Sequence, residues 1–316
     1  MTKLTGMSVV ITGASSGIGK ATALAFAADG ASLTLASRRG GRLAAVARMC
    51  ERLGGRAQYV ETDVTSATAM RALAQAAVKR FGGLDVWVNN AGVGAVGRFT
   101  DVPVEAHDQV VRTNLMGTIH GAHAALPLFL KAHRGTLINV VSFGAFVGTP
   151  FGASYTASKF GLRGLSESLR AELQDEPDIN ICDVFPGFVD TPGVGHAGNY
   201  TGHRLNVRAP DRPEEVADAI VRLATRPRDK TSVGAVAKLA PLAYAVAPGL
   251  GRWVMNRMLG LSLANAKEQA SSPGALFKPG GNGGLSGHMP LGTIAGVGAA
   301  GLLIAAALGV AASQRR

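Results

Sequence analysis

The sequence alternates short, β-branched apolar runs with longer segments of helical periodicity, and this alternation constrains the fold more than any other feature. Strands that alternate with helices of about 10–15 residues pair in parallel, and helices cover both faces of the resulting sheet. The sequence therefore predicts an α/β fold with a doubly wound, Rossmann-like parallel sheet whose ligand binds beyond the carboxyl ends of the strands. The predicted strands are residues 9–12, 31–37, 57–62, 84–89, 136–142 and 179–185, and the predicted helices are a segment that ends near residue 29 and residues 39–53, 66–81, 103–133, 154–174 and 213–225.

The alternation of predicted strands and helices ends at about residue 236. The 316 residues, 47% of them hydrophobic, suffice for one large α/β domain or two ordinary ones. After the last predicted helix comes an apolar stretch interrupted by Pro241 and Pro248, in which Leu250 and Trp253 share a stripe that fits either a membrane interface or core packing. We predict a Rossmann-type domain at 1–236, an apolar helical extension at 237–270, a flexible Gly/Pro-rich linker at 271–290 and a candidate membrane helix at 291–312.

Residues 291–312 contain no charged side chain, and the segment is long enough to span the ~30 Å hydrocarbon core of a bilayer. These properties favour a transmembrane helix over the alternative, a helix that is buried or packed in a dimer in water. Lys and Arg residues concentrate on the cytoplasmic side of a membrane helix, and here more of them precede the segment than follow it. We therefore expect a cytoplasmic domain with a C-terminal membrane anchor; the cations before the segment are Arg252, Arg257, Lys267 and Lys278, and those after it are Arg315 and Arg316.

The net charge of +11 indicates an anionic partner, which could be a phosphate-bearing ligand, an acidic membrane surface or nucleic acid. We predict no nucleic-acid partner and no metal site, because the sequence has neither a helix-turn-helix pattern nor metal-ligand spacing. The two cysteines, Cys50 and Cys182, give no disulfide framework and favour a reducing compartment. The first apolar run stops at Gly13, which is too early for a secretory signal.

A glycine-rich turn, TGASSGIG at residues 12–19, joins the first predicted strand to the first helix. Gly13, Gly17 and Gly19 let the backbone turn sharply and approach a pyrophosphate, while the helix N-terminus offers unpaired N–H groups. Many glycine-rich turns only join two elements, but a turn placed between a strand and a helix predicts a dinucleotide site.

The end of the second predicted strand, LASRR at residues 35–39, carries no acidic residue. A site for NAD places a carboxylate there to bind the ribose hydroxyls, whereas the 2′-phosphate of NADP requires arginine. Arg38 can hold that phosphate with its planar guanidinium, and Ser37 can donate its hydroxyl. The alternative is that the arginines are solvated at the start of a helix. The sequence favours NADP(H) over NAD(H).

Tyr155 and Lys159 are four residues apart in the segment YTASK, a spacing that places them on one face of a helix. Because an adjacent ammonium favours the phenolate, we expect Lys159 to lower the pKa of Tyr155 from its usual value near ~10. Ser142 ends a predicted strand at the ligand-binding edge of the sheet, where its hydroxyl can polarise a carbonyl oxygen. Taken singly, such residues are more often a surface pair and a turn serine than a catalytic group.

With these motifs, the chain resembles the short-chain dehydrogenase/reductase family over about residues 5–236. The turn at 12–19 matches the family's TGxxxGIG, and NNAG at residues 89–92 matches the motif that follows the fourth strand. The resemblance implies a catalytic set of Asn114, Ser142, Tyr155 and Lys159. The predicted cofactor-binding residues are Gly13, Ser15, Ser16, Gly17, Ile18, Gly19, Ser37, Arg38, Asp63, Val64, Asn90, Ala91, Gly92, Tyr155, Lys159, Pro186, Gly187, Val189 and Thr191.

The resemblance implies that a carbonyl and an alcohol are interconverted by hydride transfer at a nicotinamide. In the reductive direction Tyr155 would protonate the carbonyl oxygen, and Ser142 would donate a hydrogen bond to it. Lys159 would also bind the nicotinamide ribose, and Asn114 would hold a water that connects Lys159 to solvent. Further implied contacts are Asp63 with the adenine amino group and Pro186, Gly187 and Thr191 with the nicotinamide and its carboxamide.

Apolar or small residues follow Ser142 and Asn90, so we expect a lipophilic ketone, aldehyde or secondary alcohol as substrate. A substrate loop is predicted at 193–209, where His196, Tyr200, His203 and Arg204 are either lid residues or exposed loop residues. The resemblance also implies a homo-oligomer.

Two other interpretations stay open at this point. One is a catalytically silent nucleotide-sensing or scaffold protein on the same fold, which the intact set of Ser142, Tyr155 and Lys159 disfavours. The other is a 3-oxoacyl-type reductase, which would be expected to lack the chain beyond residue 236.

Overall fold

The computed structural model describes residues 4–204, 211–264, 266–280 and 284. Within these ranges the strands are β1 (Ser8–Thr12), β2 (Ser32–Ser37), β3 (Arg56–Glu61), β4 (Val86–Asn89), β5 (Ala95–Val96), β6 (Gly135–Val140), β7 (Ile179–Pro186), β8 (Gly198–Asn199) and β9 (Lys230–Val233). The helices are α1 (Gly17–Ala28), α2 (Gly40–Arg52), α3 (Ala67–Phe81), α4 (Val104–Val111), α5 (Gly117–Ala132), α6 (Ala153–Glu172), α7 (Pro192–His196), α8 (Pro213–Thr225), α9 (Ala235–Val246) and α10 (Pro248–Ala264).

Seven of the described strands form one sheet in the order β3-β2-β1-β4-β6-β7-β9, and all of its neighbouring pairs are parallel. The order reverses at β1, from which β2 and β3 extend to one side and the remaining strands to the other. Ligands of open α/β sheets bind beyond the carboxyl ends of the strands at such a reversal. The predicted Rossmann-like sheet is confirmed.

Every residue of β1 is buried because helices cover both faces of the sheet. Successive side chains of a strand point to opposite faces. Val9 and Ile11 accordingly pack in one core with Phe26 of α1, whereas Val10 packs in a second core with Met70 of α3.

A line of buried polar side chains ties helix α6 to the centre of the sheet. Trp87 Nε1 donates to Asn89 Oδ1 at 2.7 Å, and Asn89 Nδ2 donates to Asn139 Oδ1 at 3.0 Å. Asn139 Nδ2 donates to Ser166 Oγ at 3.0 Å, and Ser166 Oγ donates to Asp183 Oδ1 at 2.6 Å. A buried polar group without a partner costs about 1–3 kcal/mol, so this line opposes any shift of α6 along the sheet and fixes the helix that carries the predicted Tyr/Lys pair.

The structure differs from the sequence interpretation at several elements of this domain, and the two-residue strands β5 and β8 and the short helix α7 were not predicted. Strand β9 was not predicted, because its sequence KTSV lacks an apolar pattern and most of this edge strand is exposed or half-buried. The single predicted helix at 103–133 consists of α4, a π-helical turn at Arg112–Met116 and α5. Ser142 lies beyond the end of β6, where it caps a one-turn 3₁₀ helix at Phe143–Ala145 and its Oγ accepts a hydrogen bond from the Gly144 N–H at 3.1 Å.

The C-terminal extension forms α9 and α10, which pack against each other. Trp253 on α10 is 62% exposed, so the core-packing alternative for this side chain is wrong. Residues 271–280 were predicted to be a flexible linker, but they lie against the Rossmann-type domain, because Leu276 finds a completely buried position there.

The candidate membrane helix at 291–312 lies outside the described residues. Within the described ranges, none of the helices combines the length and the apolar composition needed to cross a bilayer.

Candidate active site

A cleft of about 460 Å³ opens at the carboxyl edge of the sheet. Its walls include the segments that follow β1, β2, β3, β4, β6 and β7, because the carboxyl ends of parallel strands meet at one edge. The cleft is lined by every predicted cofactor-binding residue except Gly19, and also by Ser142. Asn114 does not line it.

The glycine-rich turn between β1 and α1 has the shape that a cradle for a pyrophosphate requires. Gly13 and Gly17 have φ values of +68° and +52°, which side chains rarely adopt. A Cβ on Gly13 would lie 2.8 Å from Asn90 Nδ2, and a Cβ on Gly19 would clash with the Gly13 carbonyl oxygen. Gly19 therefore acts behind the cleft, where it lets helix α1 pack closely against the turn.

Thr12 joins the glycine-rich turn to the segment after β4. Its Oγ1 accepts hydrogen bonds from the Asn90 N–H at 3.0 Å and the Ala91 N–H at 3.1 Å. Asn90 Nδ2 in turn donates to the Thr12 carbonyl oxygen at 2.9 Å. These bonds explain why two motifs far apart in the sequence line one cleft.

Asp63 lies at the adenine side of the predicted site, and the following turn orients its carboxylate. Its Oδ1 accepts hydrogen bonds from Thr65 N–H at 2.9 Å and Thr65 Oγ1 at 2.8 Å. Ser37 Oγ accepts a hydrogen bond from the Arg39 N–H at 3.1 Å.

Two arginines follow β2 and face the same end of the cleft. Arg38 Nη2 donates to the Ala275 carbonyl oxygen at 2.7 Å. Arg39 Nη2 donates to Ser16 Oγ at 3.1 Å. Burial, followed by the charges of Arg42 and Arg38, lowers the pKa of Arg39. Sequence reasoning assigned phosphate binding to Arg38 alone, and it missed Arg39 because only the folded turn brings its guanidinium to Ser16.

Tyr155, Ser142 and Lys159 meet at the floor of the cleft. Tyr155 and Ser142 line the cleft together, and Lys159 Nζ lies 5.6 Å from the centroid of the Tyr155 ring. Lys159 Nζ also donates to the Val140 carbonyl oxygen at 3.1 Å. The phenol, the hydroxyl and the ammonium thus converge where a carbonyl oxygen can accept hydrogen bonds.

The pKa of Tyr155 differs from the expectation. Burial raises it, and the hydrogen bond with Ser142 opposes that shift. Burial also lowers the pKa of Lys159 to about 8. The expected net lowering of the pKa of Tyr155 does not occur, because desolvation of the phenolate is the largest influence on that pKa and raises it. Near neutral pH the phenol is therefore protonated and can act as an acid.

Asn114 lies in the π-helical turn between α4 and α5, and such turns frequently occur at functional sites. Its Oδ1 accepts a hydrogen bond from the Val93 N–H at 2.8 Å, and its Nδ2 donates to Val93 O at 3.0 Å and to Ser158 Oγ at 3.1 Å. These bonds hold the segment after β4 against helix α6. The predicted water between Asn114 and Lys159 stays a prediction.

The segment after β7 lies beside the glycine-rich turn, as the predicted contact of Pro186, Gly187 and Thr191 with the nicotinamide requires. A Cβ on Gly17 would lie 3.1 Å from Thr191 Cβ.

The predicted substrate loop is described up to residue 204 and does not form one wall. His196 lines the cleft, and its pKa is lowered by burial and then by the charges of Arg39 and Arg42. Tyr200 packs against an apolar cluster, whereas His203 and Arg204 do not line the cleft. The rest of the predicted loop lies outside the described residues.

The end of the cleft near the catalytic residues is mainly apolar. Sequence reasoning missed the contribution of α10 and of the segment after it, since both are distant in sequence and carry no motif. In the part of the chain that the structure describes, no group of three His, Cys, Asp or Glu residues could hold a metal ion. The apolar lining residues include Val93, Phe143, Phe188, Leu259 and Leu263.

Comparisons with known proteins agree with this geometry. Residues 7–199 match the family described as short chain dehydrogenase. The uncharacterized oxidoreductase YxnA of Bacillus subtilis is 35% identical over 263 residues, which are 81% of this chain and 73% of that protein. The uncharacterized oxidoreductase SERP2049 of Staphylococcus epidermidis is 35% identical over 227 residues, which are 72% of this chain and 94% of that protein.

Solved structures give a further similarity. An alcohol dehydrogenase from the archaeon Thermococcus sibiricus, complexed with 5-hydroxy-NADP, has a TM-score of 0.64 and 29% sequence identity. The match covers 72% of this chain and 95% of that chain.

The burial of Lys159 predicts a pH-dependent gain in stability when its charge is removed. Below about pH 8 the folded protein carries the buried ammonium. Between about pH 8 and pH 10.5 the unfolded chain binds more protons than the folded one. The loss of stability caused by the buried ammonium therefore falls as pH rises. We expect Lys159→Met to raise the free energy of unfolding by about 1–2 kcal/mol at about pH 7, after allowance for the lost bond to Val140. The gain should disappear as pH approaches the upper end of that window.

Urea unfolding at several pH values measures this effect. Lys131→Met is the control, because Lys131 is exposed at the end of α5 and its replacement should change stability by less than about 0.5 kcal/mol. A loss of stability in Lys159→Met at about pH 7 would show that the ammonium is well solvated or well paired.

Proposed function

The chain belongs to the short-chain dehydrogenase family and is an oxidoreductase of that type, and we propose that it interconverts a carbonyl and an alcohol of a lipophilic small molecule with NADP(H). The observation that carries the proposal is the convergence of Tyr155, Ser142 and Lys159 in the cleft. The turn at Gly13 and Gly17 fits a dinucleotide, because its two glycines hold positive φ values at the start of α1, where backbone N–H groups can bind a pyrophosphate.

A bound nicotinamide dinucleotide would supply the hydride, and the side chains of this chain handle the proton. In the reductive direction the Tyr155 hydroxyl donates its proton to the carbonyl oxygen, and burial supports this role by keeping the phenol protonated. Ser142 donates a hydrogen bond to the same oxygen, where negative charge develops. Lys159 places a positive charge near the phenolate that remains, and its pKa of about 8 lets it exchange protons near neutral pH.

Local chemistry supports NADP(H) over NAD(H). No acidic residue stands at the end of β2, where Ser37, Arg38 and Arg39 instead line the cleft. The structural relative from T. sibiricus is complexed with an NADP derivative.

The apolar walls of the cleft support a lipophilic ketone, aldehyde or secondary alcohol as substrate. Leu259 and Leu263 of α10 line the cleft beside Phe143 and Phe188, so the helical extension closes the substrate end with apolar surface. A charged substrate would lose its hydration there without gaining a partner. The homo-oligomer that the family resemblance implies stays a prediction.

Replacement of the proton donor tests the reaction. Tyr155→Phe should reduce NADPH oxidation with a panel of lipophilic ketones and aldehydes by about 10²–10⁴-fold, the contribution of a positioned general acid. The Kd for NADPH should change little, since the hydroxyl serves the substrate oxygen. Tyr59→Phe is the control, because Tyr59 is 49% exposed on β3.

Retained turnover in a folded Tyr155→Phe protein would remove Tyr155 as the proton donor. Wild-type protein that binds NADPH but turns over none of the panel would favour the nucleotide-sensing or scaffold alternative. Activity confined to 3-oxoacyl thioesters would favour the 3-oxoacyl-type reductase.

The cofactor preference depends on Arg38. Hydrogen bonds to a charged group contribute about 1.5–3 kcal/mol, so Arg38→Gln should weaken NADPH binding by about 10–100-fold without weakening NADH binding. Arg48→Gln is the control, since Arg48 is exposed on α2 and does not line the cleft. Fluorescence titration with both cofactors measures the effect, and equal losses for NADPH and NADH would contradict the assignment.

We also propose that residues 291–312 anchor the protein in a membrane as a transmembrane helix, with the catalytic domain on the cytoplasmic side. The exposed side of α9 and α10 supports this, because Leu242 and Trp253 are 54% and 62% exposed and the stretch from 235 to 264 contains three cations and no acidic residue.

Flotation of full-length protein with liposomes tests the attachment. We expect co-flotation that persists in high salt with vesicles containing anionic lipid, and weaker flotation when residues 291–316 are deleted. Recovery of the full-length protein wholly in the salt-washed soluble fraction would contradict the proposal.

A further inference from the structure

The segment that follows α10 contacts the cofactor end of the cleft. Three successive carbonyl oxygens surround the Arg38 guanidinium: Nη2 donates to Ala275 O at 2.7 Å, and Nη1 donates to Leu276 O at 3.1 Å and to Phe277 O at 3.2 Å. Arg39 Nη1 donates to Gly280 O at 2.8 Å. We call residues 272–280 together with Gly284 the C-terminal strap.

The strap also reaches the N-terminus of α1. The Gly17 N–H donates to Gly284 O at 3.0 Å. An N–H at the start of this helix is a donor that a pyrophosphate would use, and the guanidinium after β2 is the donor that a 2′-phosphate would use. The strap thus presents carbonyl oxygens, which carry partial negative charge, to the donors expected to hold the anionic groups of NADP(H).

Apolar packing and backbone hydrogen bonds hold the strap in this position. Leu276 is completely buried in a cluster with Ala95 and Val110. The backbones of Ser272 and Asn199 exchange two hydrogen bonds of 2.8 Å, and the Ala275 N–H donates to His196 O at 2.8 Å. The strap is therefore paired with the predicted substrate loop as well as with the arginines.

A carbonyl oxygen and a phosphate oxygen cannot both accept the same N–H bonds of Arg38. The carbonyls at 275–277 occupy three of the five N–H donors of the guanidinium and engage both of its terminal nitrogens. A 2′-phosphate held by the pair of terminal nitrogens would lie against these carbonyl oxygens, whose partial negative charge repels it. Binding of the 2′-phosphate by that pair therefore requires the strap carbonyls to move away.

We propose that the C-terminal strap is an intramolecular ligand of the cofactor site, which competes with NADP(H) for Arg38, Arg39 and the Gly17 N–H and is displaced when the cofactor binds. The inference rests on the proposed function, because it takes these donors as the phosphate-binding groups. It adds that this chain carries its own competitor for them, and that release of the strap also frees the substrate loop at Asn199 and His196.

Hydrogen–deuterium exchange of the full-length wild-type protein, with and without saturating NADPH, separates the two proposals. Competition predicts slower exchange in the turn at 13–19, where the cofactor binds, and faster exchange at the Ser272 and Ala275 amides, whose hydrogen bonds to Asn199 and His196 hold the strap. Slower or unchanged exchange at the strap together with protection of 13–19 would overturn the competition and leave NADPH binding intact. No protection at 13–19 would overturn both proposals.

A variant that unseats the strap gives a second measurement. Gly274 has φ +54°, and a Cβ there would lie 2.5 Å from both His196 O and Ala197 O, so Gly274→Val should release the strap. If the seated strap leaves about one molecule in ten competent to bind, its release tightens NADPH binding about tenfold. Gly249→Val is the matched control, because a Cβ on Gly249 meets open space and should leave the Kd unchanged.

Weaker or unchanged NADPH binding by a folded Gly274→Val protein would contradict the competition. Circular dichroism establishes whether the variant folds. If the variant does not fold, the exchange experiment on the wild-type protein tests the competition.

Discussion

The hydrogen bond from Lys159 Nζ to the Val140 carbonyl oxygen joins the helix that carries the acid to the strand that leads to Ser142. The rest of the site depends on this buried contact. An ammonium in such a position is costly to desolvate, which is why its pKa falls to about 8. The buried polar line from Trp87 to Asp183 holds the same helix from its other end. Together they give Tyr155 one position relative to Ser142, as general acid catalysis requires.

Different interactions dominate at the two ends of the cleft. At the catalytic end, burial favours neutral groups, so the phenol keeps its proton and the surrounding walls are apolar. At the cofactor end, guanidinium groups and an N–H at the start of α1 present positive charge toward the cleft. The chain itself supplies acceptors for those donors through the C-terminal strap. The same segment also pairs with the loop near His196.

Local sequence predicted the parts of the molecule that local chemistry controls. The alternation of strands and helices was sufficient for the sheet, because a strand buried on both faces needs a continuous apolar run. The glycine-rich turn needed positive φ values that Gly13 and Gly17 supply. Strand β9 escaped prediction because an edge strand needs no such run. The π-helical turn at Asn114 also escaped, since its extra residue is stabilised by contacts with Val93 and Ser158 and not by its own sequence.

By itself, the sequence determined the fold class, the order of the motifs and the residue types at the site, because strand periodicity, turn geometry and helix spacing are properties of neighbouring residues. Only the tertiary structure decided that burial raises the pKa of Tyr155 and that Arg39 reaches Ser16. It also decided that residues 271–280, whose composition predicts a linker, lie against Arg38 and Arg39. The reason is that desolvation and the burial of Leu276 depend on surfaces from distant parts of the chain, which meet only after folding.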